Sequence, residues 1–344
     1  MMRTPTVCEE YVRNVLDFLD KRGISEAKLN NVLGLTLTDH LNEQKRLSLR
    51  LFEILLDTGS RLLQDPDFGA NAGTHSPRRA WGLVNYLGMS AASTKDAIEV
   101  VIEFHKLLID HGDIEFISTA DGKCRLVWDI PERQLPSRHV VEYFFASWYQ
   151  VNKSALQRWC AARVIHVTYP SPGQHSDFSE RMEADVCYSS DVNCVEFDAH
   201  FLERPADYPH PSIHEKLLYE ARQELVQLQL EDRLIKDVTA SIRKHLGNGT
   251  PKLESIAEEM GLTARTLQRR LTAISTSFKY LVDQARMEQS KALIADPNKG
   301  FLEICSELGF NDQSAFHKAF KRWFGQTPGK FRELQLSMRE SALH

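Results

Sequence analysis

Arg265, Gln268 and Arg269 stand at i, i+3 and i+4, the spacing that gathers side chains on one face of an α-helix. A guanidinium forks onto the two acceptors of guanine, and a carboxamide matches the acceptor and donor of adenine. Further along, Gln313, Ser314, His317 and Lys318 share a second such face, with a lysine suited to phosphate or to guanine. Thr266 lies beside the first set, and Lys321 and Arg322 extend the second toward a backbone-contacting end. One polar face of this kind is ordinarily a solvated surface. Two faces built to a common plan point to the base edges and phosphates of duplex DNA.

The plan is visible in the residues that must hold those faces. In the first copy, Leu253, Ile256, Ala257 and Met260 predict an amphipathic helix that stops at Gly261. Thr263 then caps a second helix whose inward positions are Leu267 and Leu271. In the second copy, Ile304, Cys305 and Leu308 lead to Gly309, Asn311 is the expected cap, and Phe316 and Phe320 point inward. Helix, glycine turn, polar cap, helix is a helix-turn-helix pattern, and the glycine supplies the left-handed backbone that a side chain opposes.

From Leu253 to Arg332 the sequence resembles the DNA-binding domain of the AraC/XylS family of transcription regulators. The matching pieces are LESIAEEMGLTARTLQRRL, the connecting YLVDQARMEQSKALI and the closing LGFNDQSAFHKAFKRWFGQTPGKFR. The resemblance implies two helix-turn-helix units, with Arg265, Gln268 and Arg269 in one major groove and Gln313, Ser314, His317 and Lys318 in the next. It also implies that Arg286 belongs to the helix spacing the units. Ile274-Ser275 departs from the family pattern where a glycine is common, and Cys305 replaces a usual alanine. Over 164–205, with YPSPGQHSDF and VCYSSDVNCVEFDAHFLERP, the front resembles the ornithine-utilisation-regulator-like branch. That branch carries an "arabinose-binding"-type N-terminal domain, a label that does not make arabinose the ligand here.

The 344 residues suit two or three domains. Residues 250–344 hold 14 Lys and Arg against 11 Asp and Glu, a net of +3, which leaves the rest at −8. An acidic front and a mildly basic back fit a module that meets DNA only at its end. Helical spacing predicts helices over 8–22, 41–64 and 95–108, the last capped by Ser93 or Thr94. Period-two alternation then predicts a hairpin around Asp121-Gly122, an aromatic helix over 139–162, and strands at 163–169, 185–188 and 193–198 with a short helix near 176–182. A long helix is expected over 211–246, where Leu218, Leu225, Leu228, Ile235 and Ile242 form a stripe that could be a dimer seam or could lie on the chain's own domain. The run Gly247-Asn248-Gly249-Thr250-Pro251 breaks it.

The expected fold is an α+β N-terminal regulatory domain followed by an all-α domain with two helix-turn-helix units joined by a helix. Its divisions are 1–205, a helical connector 206–249, the DNA-binding domain 250–335 and a tail 336–344. The chain has no apolar run of membrane-spanning length and no signal-peptide pattern at its start, so it is expected in the cytoplasm and not at a membrane. The resemblance implies double-stranded promoter DNA, RNA polymerase, a homodimer and a small-molecule effector of unidentified chemistry as partners, and no cofactor.

Two other readings stand beside the effector-responsive regulator. DNA-alkylation repair proteins carry the same double motif beside a four-cysteine zinc site, but Cys8, Cys124, Cys160, Cys187, Cys194 and Cys305 form no cluster. Cys187 and Cys194 could approach across a strand pair, and His210 and His214 could share a helix face as metal ligands. No nucleophile elbow, P-loop or dinucleotide fingerprint is present, so no enzyme is expected. The third reading is a constitutive DNA-binding regulator whose front domain only dimerises or binds proteins. In it, Tyr143, Phe144, Phe145, Trp148, Tyr149 and Trp159 are core, not the wall of an effector pocket.

Overall fold

A computed structural model describes residues 5–33, 36–76, 81–119, 121–131, 135–156, 164–173, 176–205, 209–247, 249–274 and 276–341. In chain order the front elements are β1 (Thr6–Cys8), α1 (Glu9–Asp20), α2 (Glu26–Leu33), α3 (Leu37–Gln44), β2 (Arg46–Ser48), α4 (Leu49–Leu63), α5 (Phe68–Thr74), α6 (Gly82–Ser90) and α7 (Thr94–Leu108). They continue through β3 (Asp113–Ser118), β4 (Lys123–Asp129), α8 (Arg138–Leu156), β5 (Val164–His166), α9 (Phe178–Met182), β6 (Asp185–Cys187) and β7 (Asn193–Asp198). The rest is helical: α10 (Pro211–Leu246), α11 (Leu253–Glu259), α12 (Ala264–Ala273), α13 (Phe278–Ile294), α14 (Phe301–Glu307), α15 (Gln313–Phe324) and α16 (Pro328–Ser341). The chain divides into two compact units, one over 4–228 and one over 229–344.

The front unit is α+β. Its main sheet has the order β3-β4-β7-β5-β6, antiparallel except for the β5–β6 pair. Alternation sends Ile114 from β3 and Leu126 and Trp128 from β4 into one core with Phe144, Phe145 and Trp148 of α8. Gly122 takes φ +79° at the expected hairpin turn, and Ser93 caps α7 by accepting from the Asp96 amide. The expected helix over 41–64 is two helices instead. Lys45 turns left-handed at φ 51°, and Arg46–Ser48 leaves the helix to pair with Thr6–Cys8. Ladder bonds to a distant strand override local helical spacing there. The Arg46 guanidinium ties this ribbon to α7 by donating to the Leu107 carbonyl at 2.6 Å.

Helix α5 reads FGANAGT, which has no apolar stripe, yet it packs backbone to backbone on α8. A Cβ on Gly69 would lie 2.2 Å from the His139 carbonyl oxygen, and one on Gly73 2.6 Å from that of Tyr143. Only glycine permits that approach. The aromatic helix is core along its described length: Tyr143, Phe144, Phe145, Trp148 and Tyr149 are buried, while Trp159 and Cys160 lie outside the described residues. Polar groups carried into this core are mostly paired. Asn14 donates to Tyr143 Oη at 3.0 Å and Trp81 Nε1 to Ser147 Oγ at 2.8 Å. Glu142 is fully buried between Arg138 and the Tyr169 hydroxyl, and that burial pushes its carboxyl up to about 7 against the pull of Arg138.

The stripe on α10 is consumed within the chain. Leu218 and Leu225 pack on the front core, while Ile235 and the fully buried Ile242 belong to a core of the rear unit. The sheet register also separates Cys187 from Cys194. His166 on β5 pairs with both, so the two cysteines stand two strands apart, about 9.5 Å and beyond disulfide reach. Every described cysteine is a free thiol. His214 packs its Nδ1 3.0 Å from Ser90 Oγ and 3.2 Å from the Leu87 carbonyl, and His210 is exposed. Among the described residues no group of three metal-ligating side chains forms.

Candidate nucleic-acid interface

The rear unit holds two separate hydrophobic cores, one for each helix pair. The first is aliphatic. Ile256 and Ala257 of α11, Leu267 and Leu271 of α12 and Leu281, Val282 and Ala285 of α13 close over Val238, Ile242 and Leu246 of α10. Between α11 and α12 the chain turns at Gly261, φ +66°, and the Leu262 amide reaches back to the Ala257 carbonyl at 2.8 Å. Thr263 caps α12 by accepting from the Thr266 amide at 3.1 Å, and the two threonine hydroxyls lie 2.8 Å apart. With Leu267 and Leu271 buried, Arg265, Gln268 and Arg269 come together on the opposite, exposed face. Thr266 is half-buried and engaged in the cap.

The second core is aromatic. Phe316 and Phe320 of α15 are fully buried beside Ile304, Cys305 and Leu308 of α14's end, with Phe301, Phe310, Trp323, Phe324 and Phe331 packed around them. Gly309 repeats the turn at φ +66°. The cap is Asp312, whose carboxylate accepts from the Ala315 amide at 2.7 Å, and not Asn311 as expected. The helix therefore begins one residue later than the sequence pattern suggests. Asp312 has the extended backbone (φ −152°, ψ 159°) that an N-cap requires.

Gln313, Ser314, Lys318, Lys321 and Arg322 are exposed on α15. His317 is less available. Its ring centroid lies 5.9 Å from that of Phe301 and 5.6 Å from that of Phe316, and its Nε2 is buried without a partner among the described residues. Arg322 donates to Asp283 of α13 at 2.6 Å, so its guanidinium already holds a carboxylate. The sequence pattern placed these two with the others by spacing alone. It carried no sign of the aromatic ring or the acidic partner that each meets.

Arg286, assigned by resemblance to the spacing helix, lies on α13 with its guanidinium 4.3 Å over Phe310. It donates through Nε to the Leu308 carbonyl at 2.8 Å and through Nη2 to that of Gly309. Burial holds its pKa below the usual arginine value. Asp283, which accepts from Arg322 and Trp323, and Thr250, which donates to Gly309, carried no signal in the sequence, because a single acid on a helix and a threonine after a turn read as solvated. In the front unit, the space between α7, the sheet and α8 amounts to a cavity of about 10 Å³ with apolar walls, room for about one water molecule. Ser275 of the departing Ile274-Ser275 pair lies outside the described residues, and Ile274 packs on the first core.

A mixed α+β unit joined by one long helix to two helix-turn-helix pairs defines a DNA-binding transcription regulator. The model of the arabinose-binding domain of AraC transcription regulators matches residues 23–206, and a helix-turn-helix domain model matches 256–334. The chain belongs to the AraC family of transcription regulators. It is 23% identical over 325 residues to the ornithine utilization regulator of Pseudomonas aeruginosa, covering 94% of this chain and 95% of that protein. It is 25% identical over 307 residues to the transcriptional regulator VirS of Mycobacterium tuberculosis, covering 84% and 85%. Among solved structures, the regulator CdpR of Pseudomonas aeruginosa aligns over 86% of this chain and 96% of its own, with a TM-score of 0.42 and 19% identity. Among the described residues, no helix is long and apolar enough to cross a membrane.

Proposed function

We propose that this chain is a cytoplasmic, sequence-specific regulator that reads two major-groove segments of promoter duplex, one with α12 and one with α15. The observation that carries the reading is the pair of exposed faces on the second helix of each unit: Arg265, Gln268 and Arg269 on one, Gln313, Ser314 and Lys318 on the other. Thr266 contributes through the cap that sets the start of α12, and His317 through packing that fixes the roll of α15. Lys321 meets phosphate, and Arg322 shares itself between phosphate and Asp283. The domain division proposed is 1–205, 206–249, 250–335 and a tail, with promoter DNA, RNA polymerase and a second copy of the chain as partners. Enrichment of duplexes from a random pool by the full-length protein tests the reading. A recovered sequence with two elements about one helical turn apart is expected, and recovery of unrelated duplexes would reject it.

The front unit is proposed to sense a small molecule. A thermal-shift screen would detect such a ligand, because binding to the folded state raises its stability. The burial of Tyr143, Phe144, Phe145, Trp148 and Tyr149 as core favours a second reading, in which the front unit only dimerises or meets proteins and the regulator is constitutive. A ligand that shifts the melt and also changes affinity for the selected duplex decides for the first.

A further inference from the structure

Among the described residues the two helix-turn-helix units share no apolar core, yet reading two grooves at once requires a fixed angle between α12 and α15. Helix α13 runs through both units, with Leu281, Val282 and Ala285 in the first core and Leu293 and Ile294 in the second. Among the described residues, apolar core packing thus grips the second unit at the far end of α13. A single grip leaves a pivot.

Polar groups supply the other attachments. Midway along α13, Asp283 and Arg286 stand at i and i+3 and reach the two ends of α15, the turn before it and its last turn. Arg286 holds its turn through the Leu308 and Gly309 carbonyls. Asp283 holds the end of α15 through Arg322 at 2.6 Å and Trp323 Nε1 at 3.0 Å. A third attachment comes from the segment after α10, where Thr250 Oγ1 donates to the same Gly309 carbonyl at 3.1 Å. The backbones also close on one another there. A Cβ on Gly309 would lie 2.3 Å from the Gly249 carbonyl oxygen and 2.8 Å from that of Leu246. Helix α10 is itself fixed to the first unit by Ile242 and Leu246, by His245 on Glu259 at 2.6 Å, and to α13 by Arg243 on Glu288.

We propose that Asp283, Arg286 and Thr250 are positioning residues that clamp α15 to α13 and to the end of α10, and so set the spacing at which the protein reads its two DNA segments. The inference rests on the reading of α12 and α15 as the two recognition helices. It assigns Arg322 chiefly to the clamp, and it makes the end of α10 a point from which movement of that helix reaches the second recognition helix directly.

The test separates the clamp from DNA reading. Spin labels carried by p-acetylphenylalanine at the exposed positions 258 and 303 of the full-length protein report the separation of the two units without DNA. The distance distribution is expected to be narrow in the native protein and clearly broader in Arg286→Met and in Asp283→Ala. Arg286→Lys and Asp283→Asn serve where the first variants lose their circular dichroism. On the two-element duplex selected by the native protein, the variants should lose about 100-fold in affinity while binding single-element duplexes as before. Inserting about 5 bp, half a helical turn, should cost them less than it costs the native protein. Unchanged distances, or an unchanged penalty for the insertion, would overturn the clamp. Broadened distances in variants of a protein that selects no duplex would leave the clamp standing and remove the DNA reading instead.

Discussion

The two helix-turn-helix units reach the same outline by different means. The first is aliphatic and incomplete by itself: three of its buried side chains, Val238, Ile242 and Leu246, come from α10. The second is filled by aromatics packed edge-on and tilted, including Phe331 of α16 against Phe320 and Phe324. The first leaves its polar face unspent, since Arg265, Gln268 and Arg269 are exposed with no ion pair among the described residues. The second commits part of its face to holding itself in place, through His317 against two phenylalanines and Arg322 on Asp283. One unit therefore keeps its polar face free but leans on the connector. The other stands alone but is tied down.

The largest effects should come from breaking the first core. Leu267 is fully buried, and Leu267→Asp would strand a carboxylate among Ile256, Leu271 and Ile242. The expected outcome is an unfolded first unit, seen as lost hydrogen-exchange protection over 253–273 with protection kept over 301–324. Ile242→Ala tests the borrowed part more gently and should cost about 2–5 kcal/mol. The mirror change, Phe320→Ala, should cost about 3–5 kcal/mol and empty the second unit first. If Ile242→Ala lowers protection equally in both units, the cores are not independent and the contrast between them fails.

Reading should separate next. Arg269→Ala and Gln268→Ala are each expected to cost about 1–3 kcal/mol on the selected duplex and far less on random duplex, where phosphate contacts dominate. Full discrimination by the folded variants would mean that another face of α12 meets DNA. On α15 the same scan should divide. Lys321→Ala should weaken all sequences alike and flatten the salt dependence by about one unit of slope. Arg322→Ala should instead resemble Asp283→Ala and relax the tolerance for spacing. His317→Ala should lower the melting temperature more than it alters base preference.

What the sequence made legible follows from what periodicity can carry. The inward pairs Leu267/Leu271 and Phe316/Phe320 and the turns at Gly261 and Gly309 were readable, because each is local and has a steric cause. The capping residue of α15 was misplaced by one position, since Asn311 and Asp312 are both good caps and only backbone geometry chooses between them. Helix α5 was invisible, because its packing on α8 relies on absent side chains at Gly69 and Gly73. The β1–β2 pair was missed because its strands are three residues long and forty residues apart. On α12 and α15, spacing showed which residues share a polar face but not the fates of His317 and Arg322. Those depend on Phe301 and Asp283, which only the fold brings near.

The smallest predicted contrast is in pH response, where the two units should fail at opposite ends of the scale. In the first, the Glu259 carboxyl is held below its ordinary range by hydrogen bonds from the Ser241 hydroxyl and His245. A carboxyl whose folded value is depressed adds stability above its unfolded value, near 4.5, and loses it as pH falls through the folded one. In the second, Lys299 is held above its ordinary range by Glu307 at 2.5 Å. An ammonium whose folded value is raised adds stability below its unfolded value, near 10.5, and loses it as pH rises through the folded one. Both groups are solvent-facing, so screening keeps each contribution small. The comparison to make is therefore between each variant and the native protein across pH, at low salt. The stability gap between native and Glu259→Gln should close on acidification, with protection changing over α11 and α12. That between native and Lys299→Met should close on alkalinisation, with protection changing over α14 and α15. Gaps that stay constant with pH would show that neither pair is coupled to the folding of its unit. Gaps that close with changes spread over both units would show that the clamp makes the two fold as one.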